Sequence, residues 1–264
     1  MRIKAILIII ALTYFALCAG MFIFQRSLLF IGSGPIDPPA KYGLEGFNDA
    51  FLSAPDKSQI RLWWSDNSKA KNVVVLFFGN ADTLPNYADF FKYLRSKDIA
   101  VVGICYRSYC GAKGSPSEEN LYADGRAAIG FATSVFPNSK ITLVGRSLGT
   151  GVATQMATEY KIKNLVLLSP YTSIPDVAEK IYWYLPVSFF ARDHFDNASK
   201  IASVTSNILI FHGNFDNIIP FSHSQKLVDL TGGKAKLIEL KGVGHNNIDL
   251  LNIAPTIVRF INAD

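Results

Sequence analysis

Apolar and polar positions along this chain fall into blocks of two lengths. Short apolar runs predict strands over residues 47–53, 60–65, 72–78, 99–106, 140–145, 164–169, 207–212 and 236–240. Longer amphipathic segments between them predict helices over residues 86–95, 118–136, 147–160, 222–231 and 248–261. The later strands are solidly apolar, as in Val73-Val74-Val75-Leu76-Phe77-Phe78 and Leu165-Val166-Leu167-Leu168. Such runs suit a parallel sheet covered by helices on both faces. Alternation of strand and helix predicts an α/β fold with a doubly wound sheet. One connection, at about residues 174–203, is too long for a simple crossover and carries Tyr182-Trp183-Tyr184-Leu185-Pro186-Val187 and Phe189-Phe190. It reads as an insertion over the C-terminal edge of the sheet, where open α/β sheets bind ligands.

The first block is of another kind. Residues 5–24 carry no charge over 20 positions. As a helix, that run spans about 30 Å, the thickness of a bilayer core. Arg2 and Lys4 precede it and Arg26 follows it. The positive-inside bias puts the N-terminus in the cytoplasm and the rest of the chain on the extracytoplasmic side. A cleaved signal peptide is the competing reading, with Ala16-Leu17-Cys18 as the cleavage site and a secreted or periplasmic product. The apolar stretch exceeds the roughly 7–15 residues of a signal h-region, which favours an uncleaved anchor. The expected organisation is a membrane anchor over 1–28 and one catalytic-sized domain over 29–264.

Composition narrows the picture further. The formal net charge is +5, but the basic residues are scattered. A nucleic-acid surface would need them clustered with interleaved aromatics. Three cysteines are too few for a disulfide framework. Cys18 lies in the apolar run, and Cys105 and Cys110 read as free thiols in preference to a short-loop bridge. Cysteine use leaves the compartment open.

The chemistry centres on Gly145-Arg146-Ser147-Leu148-Gly149, between the apolar run Ile141-Thr142-Leu143-Val144 and a helical segment. Strand, serine between two glycines, then helix is the pattern of a nucleophile elbow. The turn is so sharp that side chains two residues from the serine would collide. A serine hydroxyl also needs a base. Of the four histidines, His245 stands in a glycine-flanked loop between the last strand and the last helix. His223, at a helix start, reads as solvent-facing, His212 as a packing or hydrogen-bonding residue, and His194 as a surface residue. Asp216, after the penultimate strand, can hold the His245 tautomer whose Nε2 faces Ser147. The order Ser, Asp, His is that of a hydrolase built on this kind of sheet. Two backbone amides are placed to receive an oxyanion: that of Leu148, beside the serine, and that of Asn80, in the loop after the third strand.

Taken together, these motifs resemble the α/β-hydrolase superfamily and, within it, the membrane-anchored Bem46-like and ABHD-like serine hydrolases. The resemblance rests on an N-terminal anchor followed by Phe24-Gln25-Arg26-Ser27-Leu28, then Gly79-Asn80-Ala81, Tyr106-Arg107 and Gly114-Ser115-Pro116-Ser117-Glu118. The elbow, Ser169-Pro170-Tyr171-Thr172-Ser173, His212-Gly213 with Asp216 and Pro220, and Gly244-His245 complete it. It implies an α/β-hydrolase fold: a mostly parallel eight-stranded sheet with flanking helices, an N-terminal transmembrane helix and a short cap insertion. It also implies the triad Ser147, Asp216 and His245. Two motifs depart from the family: Phe78 stands where His is usual before Gly-Asn-Ala, and Ser108-Tyr109-Cys110 stands where Gly-Tyr-Gly is usual.

The expected activity is cleavage of carboxylic esters or thioesters, of acyl or lipid-like substrates, without a cofactor or metal. A serine peptidase on the same fold and a non-catalytic membrane-anchored binding module are the alternatives. No His and Cys pair has zinc-site spacing. Gly233-Lys234 lacks the rest of a P-loop.

Overall fold

Eight strands join in one sheet in the computed structural model, which describes residues 2–53 and 58–263. They are β1 (Phe47–Ser53), β2 (Gln59–Ser65), β3 (Asn72–Phe77), β4 (Ile99–Cys105), β5 (Lys140–Arg146), β6 (Asn164–Leu168), β7 (Asn207–Gly213) and β8 (Ala235–Leu240). Their order is β1-β2-β4-β3-β5-β6-β7-β8. The first two strands are antiparallel to their neighbours, and every pairing from β4 to β8 is parallel. The expected strands are therefore present, with ends shifted by a residue at most.

Burial explains the sequence pattern. Val73 to Phe77 in β3 and the whole of β6 are buried, because helices cover both faces. These helices are α2 (Ala88–Ser96), α3 (Glu118–Val135), α4 (Leu148–Glu159), α8 (Ser222–Leu230) and α9 (Leu250–Asn262). Local capping starts two of them. The Ser117 hydroxyl accepts from the Asn120 amide at the start of α3, and the Asp249 carboxylate accepts from the Leu251 and Asn252 amides at α9. The helix expected from residue 86 begins instead at Ala88, after a 3-10 turn, Leu84–Tyr87, that carries Pro85 near its start.

The long connection between β6 and β7 folds into short helices: α5 (Ile174–Ile181), α6 (Val187–Phe190) and α7 (Asn197–Lys200). At the other end of the chain, α1 (Arg2–Leu29) is long and apolar enough to cross a membrane and buries none of its residues. It is not a free appendage. The Tyr14 hydroxyl donates to the Tyr184 carbonyl at 2.8 Å, and the Arg192 amide donates to Gln25 Oε1 at 2.8 Å. Arg26 grips the buried Asp193 carboxylate with two nitrogens, at 2.7 and 3.0 Å. The second half of α1 thus lies along α5 and α6.

The structure corrects one reading of the cysteines. Cys105 and Cys110 form a disulfide across the turn after β4. Ser108 and Cys110 adopt positive φ values of 72° and 54° there, which brings the chain back on itself within five residues.

Candidate active site

Ser147 sits at the junction of β5 and α4 with φ 48° and ψ −118°, a conformation that L-residues avoid unless surroundings impose it. Its amide donates to the Leu168 carbonyl of β6 at 2.9 Å, which fixes the turn. The flanking glycines are required by contact. A Cβ on Gly149 would lie 2.1 Å from the Phe77 carbonyl oxygen, and one on Gly145 would lie 2.7 Å from the Gly149 oxygen. With both absent, the elbow drops against β3 and the Ser147 side chain stands clear of the sheet edge.

The three residues expected at the site converge. His245 Nε2 is 2.9 Å from Ser147 Oγ, and its Nδ1 is 2.7 Å from Asp216 Oδ2. Asp216 Oδ1 accepts from the amides of Ile218 and Ile219, at 3.0 and 2.8 Å. Burial penalises the charged form of Asp216, but hydrogen bonds from His212, His245 and the Ile219 amide outweigh it. The carboxyl is held well below the usual carboxylate range. A charged Asp216 favours a proton on His245 Nδ1, which leaves Nε2 as the acceptor facing the Ser147 hydroxyl.

Leu148 follows Ser147 in the chain, and Asn80 lines the cleft that holds Ser147 and His245. The Leu148 N–H is the first of α4 and has no intrahelical acceptor. Gly79 brings the loop of Asn80 against the serine: a Cβ there would be 3.2 Å from Ser147 Cβ. That loop is held on three sides. Asn80 Oδ1 accepts from the Ile31 amide and from the Tyr109 hydroxyl, each at 2.8 Å. The Ala81 amide donates to the Ile31 carbonyl at 3.2 Å, and Asp82 pairs with Arg146 of the elbow at 3.4 Å. The first departure from the family motif is accommodated by packing: the Phe78 ring meets Tyr106 and Tyr109 edge-on, at 5.1 and 5.7 Å.

His212 has the packing and hydrogen-bonding role expected of it, but its link to Asp216 was not foreseen. His212 is fully buried, with Nδ1 2.6 Å from Ser224 Oγ and Nε2 2.8 Å from the Ile219 carbonyl. A carbonyl can only accept, so Nε2 carries the proton and also faces Asp216 Oδ2 at 3.3 Å. The signal was available in the four-residue spacing of His212 and Asp216. His223 contradicts its solvent-facing reading: it is buried, and its Nδ1 meets the Thr172 amide at 3.2 Å and the Thr172 hydroxyl at 2.8 Å. The segment after β6 covers it. His194 is exposed, as expected. Among the described residues no group of His, Cys, Asp and Glu could hold a metal ion.

Two cavities meet at Asn80 and Ile218. A cleft of 820 Å³ contains Ser147 and His245 and is lined by polar side chains such as Asn86, Asp89 and Asn246. A second cavity, of 320 Å³, is apolar and lies between α1 and the α5–α6 segment.

Known proteins share this architecture. A family model described as serine aminopeptidase, S33, matches residues 68–192. An uncharacterized protein of Mycobacterium tuberculosis strain H37Rv is 31% identical over 233 residues, which cover 86% of this chain and 82% of that one. Alpha/beta hydrolase domain-containing protein 17B of Homo sapiens is 32% identical over 190 residues, 69% of this chain and 62% of that protein. Among solved structures, the Pyrococcus furiosus esterase Pf2001 superposes with a TM-score of 0.71 at 17% identity, covering 88% of this chain and 96% of its own. A propionate-bound thermophilic esterase from Thermogutta terrifontis gives 0.66 at 16% identity, covering 82% and 93%. The fold, the elbow and these likenesses agree: the chain belongs to the α/β-hydrolase superfamily.

Proposed function

We propose that this protein is a membrane-tethered serine hydrolase that cleaves carboxylic esters or thioesters of acyl substrates. The observation that carries the reading is the continuous relay from Asp216 through His245 to the strained Ser147. In the proposed reaction, Ser147 Oγ attacks the acyl carbonyl while His245 Nε2 takes its proton. The amides of Leu148 and Asn80 receive the oxyanion. His245 then protonates the departing alcohol or thiol as its bond to the acyl carbon breaks. Water, deprotonated by His245, attacks the acyl-enzyme and releases the carboxylic acid.

The description of the matching family model favours a second reading, a serine aminopeptidase. Such an enzyme needs a carboxylate free to hold a substrate ammonium group. The carboxylate buried in the polar cleft, Asp82, has other work, and the two at its rim have partners of their own. Asp82 accepts from Thr83, Asn86 and Tyr87, Asp249 caps α9, and Asp89 faces Lys92. The ester reading fits better.

The proposed domain plan is an anchor over 1–28, a hydrolase domain over 29–264 and a cap over about 174–203. The basic N-terminus favours a cytoplasmic start, with the domain on the extracytoplasmic side. The Cys105–Cys110 disulfide supports the same side, because such bonds persist in oxidising compartments. The many contacts of α1 with the domain favour its retention over cleavage.

The test is labelling with a fluorophosphonate probe, followed by p-nitrophenyl esters and aminoacyl-nitroanilides. Wild type is expected to label and Ser147→Ala to lose labelling. Equal labelling of the two sinks the assignment, and a clear preference for the anilides favours the peptidase.

A further inference from the structure

The anchor helix does more than tether. We infer that α1 is one wall of the acyl-binding groove: the long acyl chain of a membrane-resident substrate lies between α1 and the α5–α6 segment, with its carbonyl at Asn80 beside Ser147. The inference rests on the hydrolase reading above and names the substrate class of that site.

The apolar cavity is walled on one side by Met21 and Phe22 of α1 and on the other by Val177 and Ala178 of α5, then Leu185 and Phe190. Its 320 Å³ falls at the lower end of the range for sites that enclose small ligands. It is not a separate hole. Asn80 and Ile218 line both this cavity and the cleft holding Ser147 and His245. An ester bound across the junction puts its apolar chain on the α1 side and its leaving group in the polar cleft.

Depth in the bilayer points the same way. The Tyr14 hydroxyl contact with Tyr184 lies midway along α1. The stretch of α1 before Tyr14 is only about 18 Å long at 1.5 Å per residue, short of the roughly 30 Å bilayer core. An α1 that crosses the membrane therefore carries the α5–α6 segment into the leaflet beside it. Glu179 and Lys180 near the end of α5 are exposed and belong toward the headgroups, while the segment's exposed aromatics suit lipid, Trp183 at 81% and Phe189 at 86%. Between them and α1, the groove sits where acyl chains are, so the chain enters sideways without passing through water. The groove is also built to last, since the Arg26–Asp193 pair and the Gln25 contacts hold α1 against this segment.

The experiment uses the full chain in lipid nanodiscs. Met21→Trp and Ala178→Trp fill the groove from opposite walls, and Ile8→Trp places the same bulk on the part of α1 that lies before Tyr14. The ratio of kcat/KM for p-nitrophenyl palmitate over butyrate is expected to fall tenfold or more in both groove variants and to stay at the wild-type value in Ile8→Trp. Fluorophosphonate labelling of Ser147 shows that each variant is folded. Labelled groove variants with an unchanged ratio overturn the inference and leave the hydrolase reading intact. A wild type that neither labels nor turns over any ester overturns both. The same palmitoyl chain offered as a phospholipid and as an S-palmitoyl cysteine peptide then distinguishes the two sources, by which of them the wild type cleaves faster.

Discussion

His212 Nε2 donates to the Ile219 carbonyl at 2.8 Å and stands 3.3 Å from Asp216 Oδ2, so one buried imidazole holds both ends of the turn that presents the carboxylate. Its other nitrogen accepts from Ser224 Oγ at 2.6 Å, which ties the turn to α8. His212→Phe leaves the Ile219 carbonyl and the Ser224 hydroxyl buried without this partner. The expected cost is about 2–4 kcal/mol of stability, from two unsatisfied groups. In enzyme that remains folded, kcat is expected to fall with little change in KM, because Asp216 then orients His245 less well. Urea unfolding and steady-state kinetics check the two parts separately.

Burial lowers the pKa of His223, and the nearby cations Lys180 and Lys226 and the His212 ring act the same way against the opposing pull of Asp176. The folded chain thus resists protonation more than the unfolded chain, whose histidine titrates near 6.5. Stability from this group is full above that value and is lost as the pH falls from there through the lower folded-state pKa. Asp216 has a folded pKa below its unfolded value, so its contribution persists to lower pH and is lost only below the ordinary carboxylate range, about 3.9. The acid loss of stability should therefore begin well before the carboxylates titrate. His223→Asn is expected to flatten the change in urea midpoint between pH 7.5 and 5.5, and an unaltered slope would refute this assignment.

Tyr109 touches no reacting atom of the proposed mechanism, yet its hydroxyl donates to the side chain of Asn80, whose amide is the proposed second oxyanion donor. Tyr109→Phe keeps the ring packing on Phe78 and removes only that donor. A fall in kcat of about tenfold is expected, smaller than the roughly hundredfold or more that losing a direct oxyanion donor costs. An unchanged kcat would mean that Ile31 alone holds Asn80.

Two glycine substitutions should differ sharply. Gly149→Ala places a methyl 2.1 Å from a backbone oxygen of β3 and is expected to cost at least about 3 kcal/mol. Gly130, in the middle of α3, has nothing within 4 Å of an added Cβ. Gly130→Ala is expected to stabilise by about 0.5–1 kcal/mol through helix propensity. Thermal unfolding of the two variants measures the contrast.

The central strands were legible because they are buried on both faces, and burial writes itself as runs such as Val73 to Phe77. Ser147, Asp216 and His245 were legible for a related reason: each follows a strand of the same sheet, and parallel strands end at one edge. What escaped depends on side-chain direction across long sequence distance. Nothing near His223 announces that the β6–β7 connection folds over it, so a histidine at a helix start read as exposed. The Cys105–Cys110 bridge needs Ser108 and Cys110 at positive φ, a turn that Ser-Tyr-Cys does not signal. The grip of Ile31 on Asn80 spans 49 residues and involves a backbone amide, which has no residue-type signature at all.

That grip also bears on how the enzyme is made. Residues 30–33 are synthesised before the segments they bind: Asn80 and Ala81 meet Ile31, while Cys110 and Gly111 meet Ser33. The segment that follows the helix can therefore make these contacts only once residues 80–111 have been made. Until those contacts form, the Asn80 loop lacks one of its supports, so its final shape depends on contacts that reach from residues 31–33 to residues 80–111.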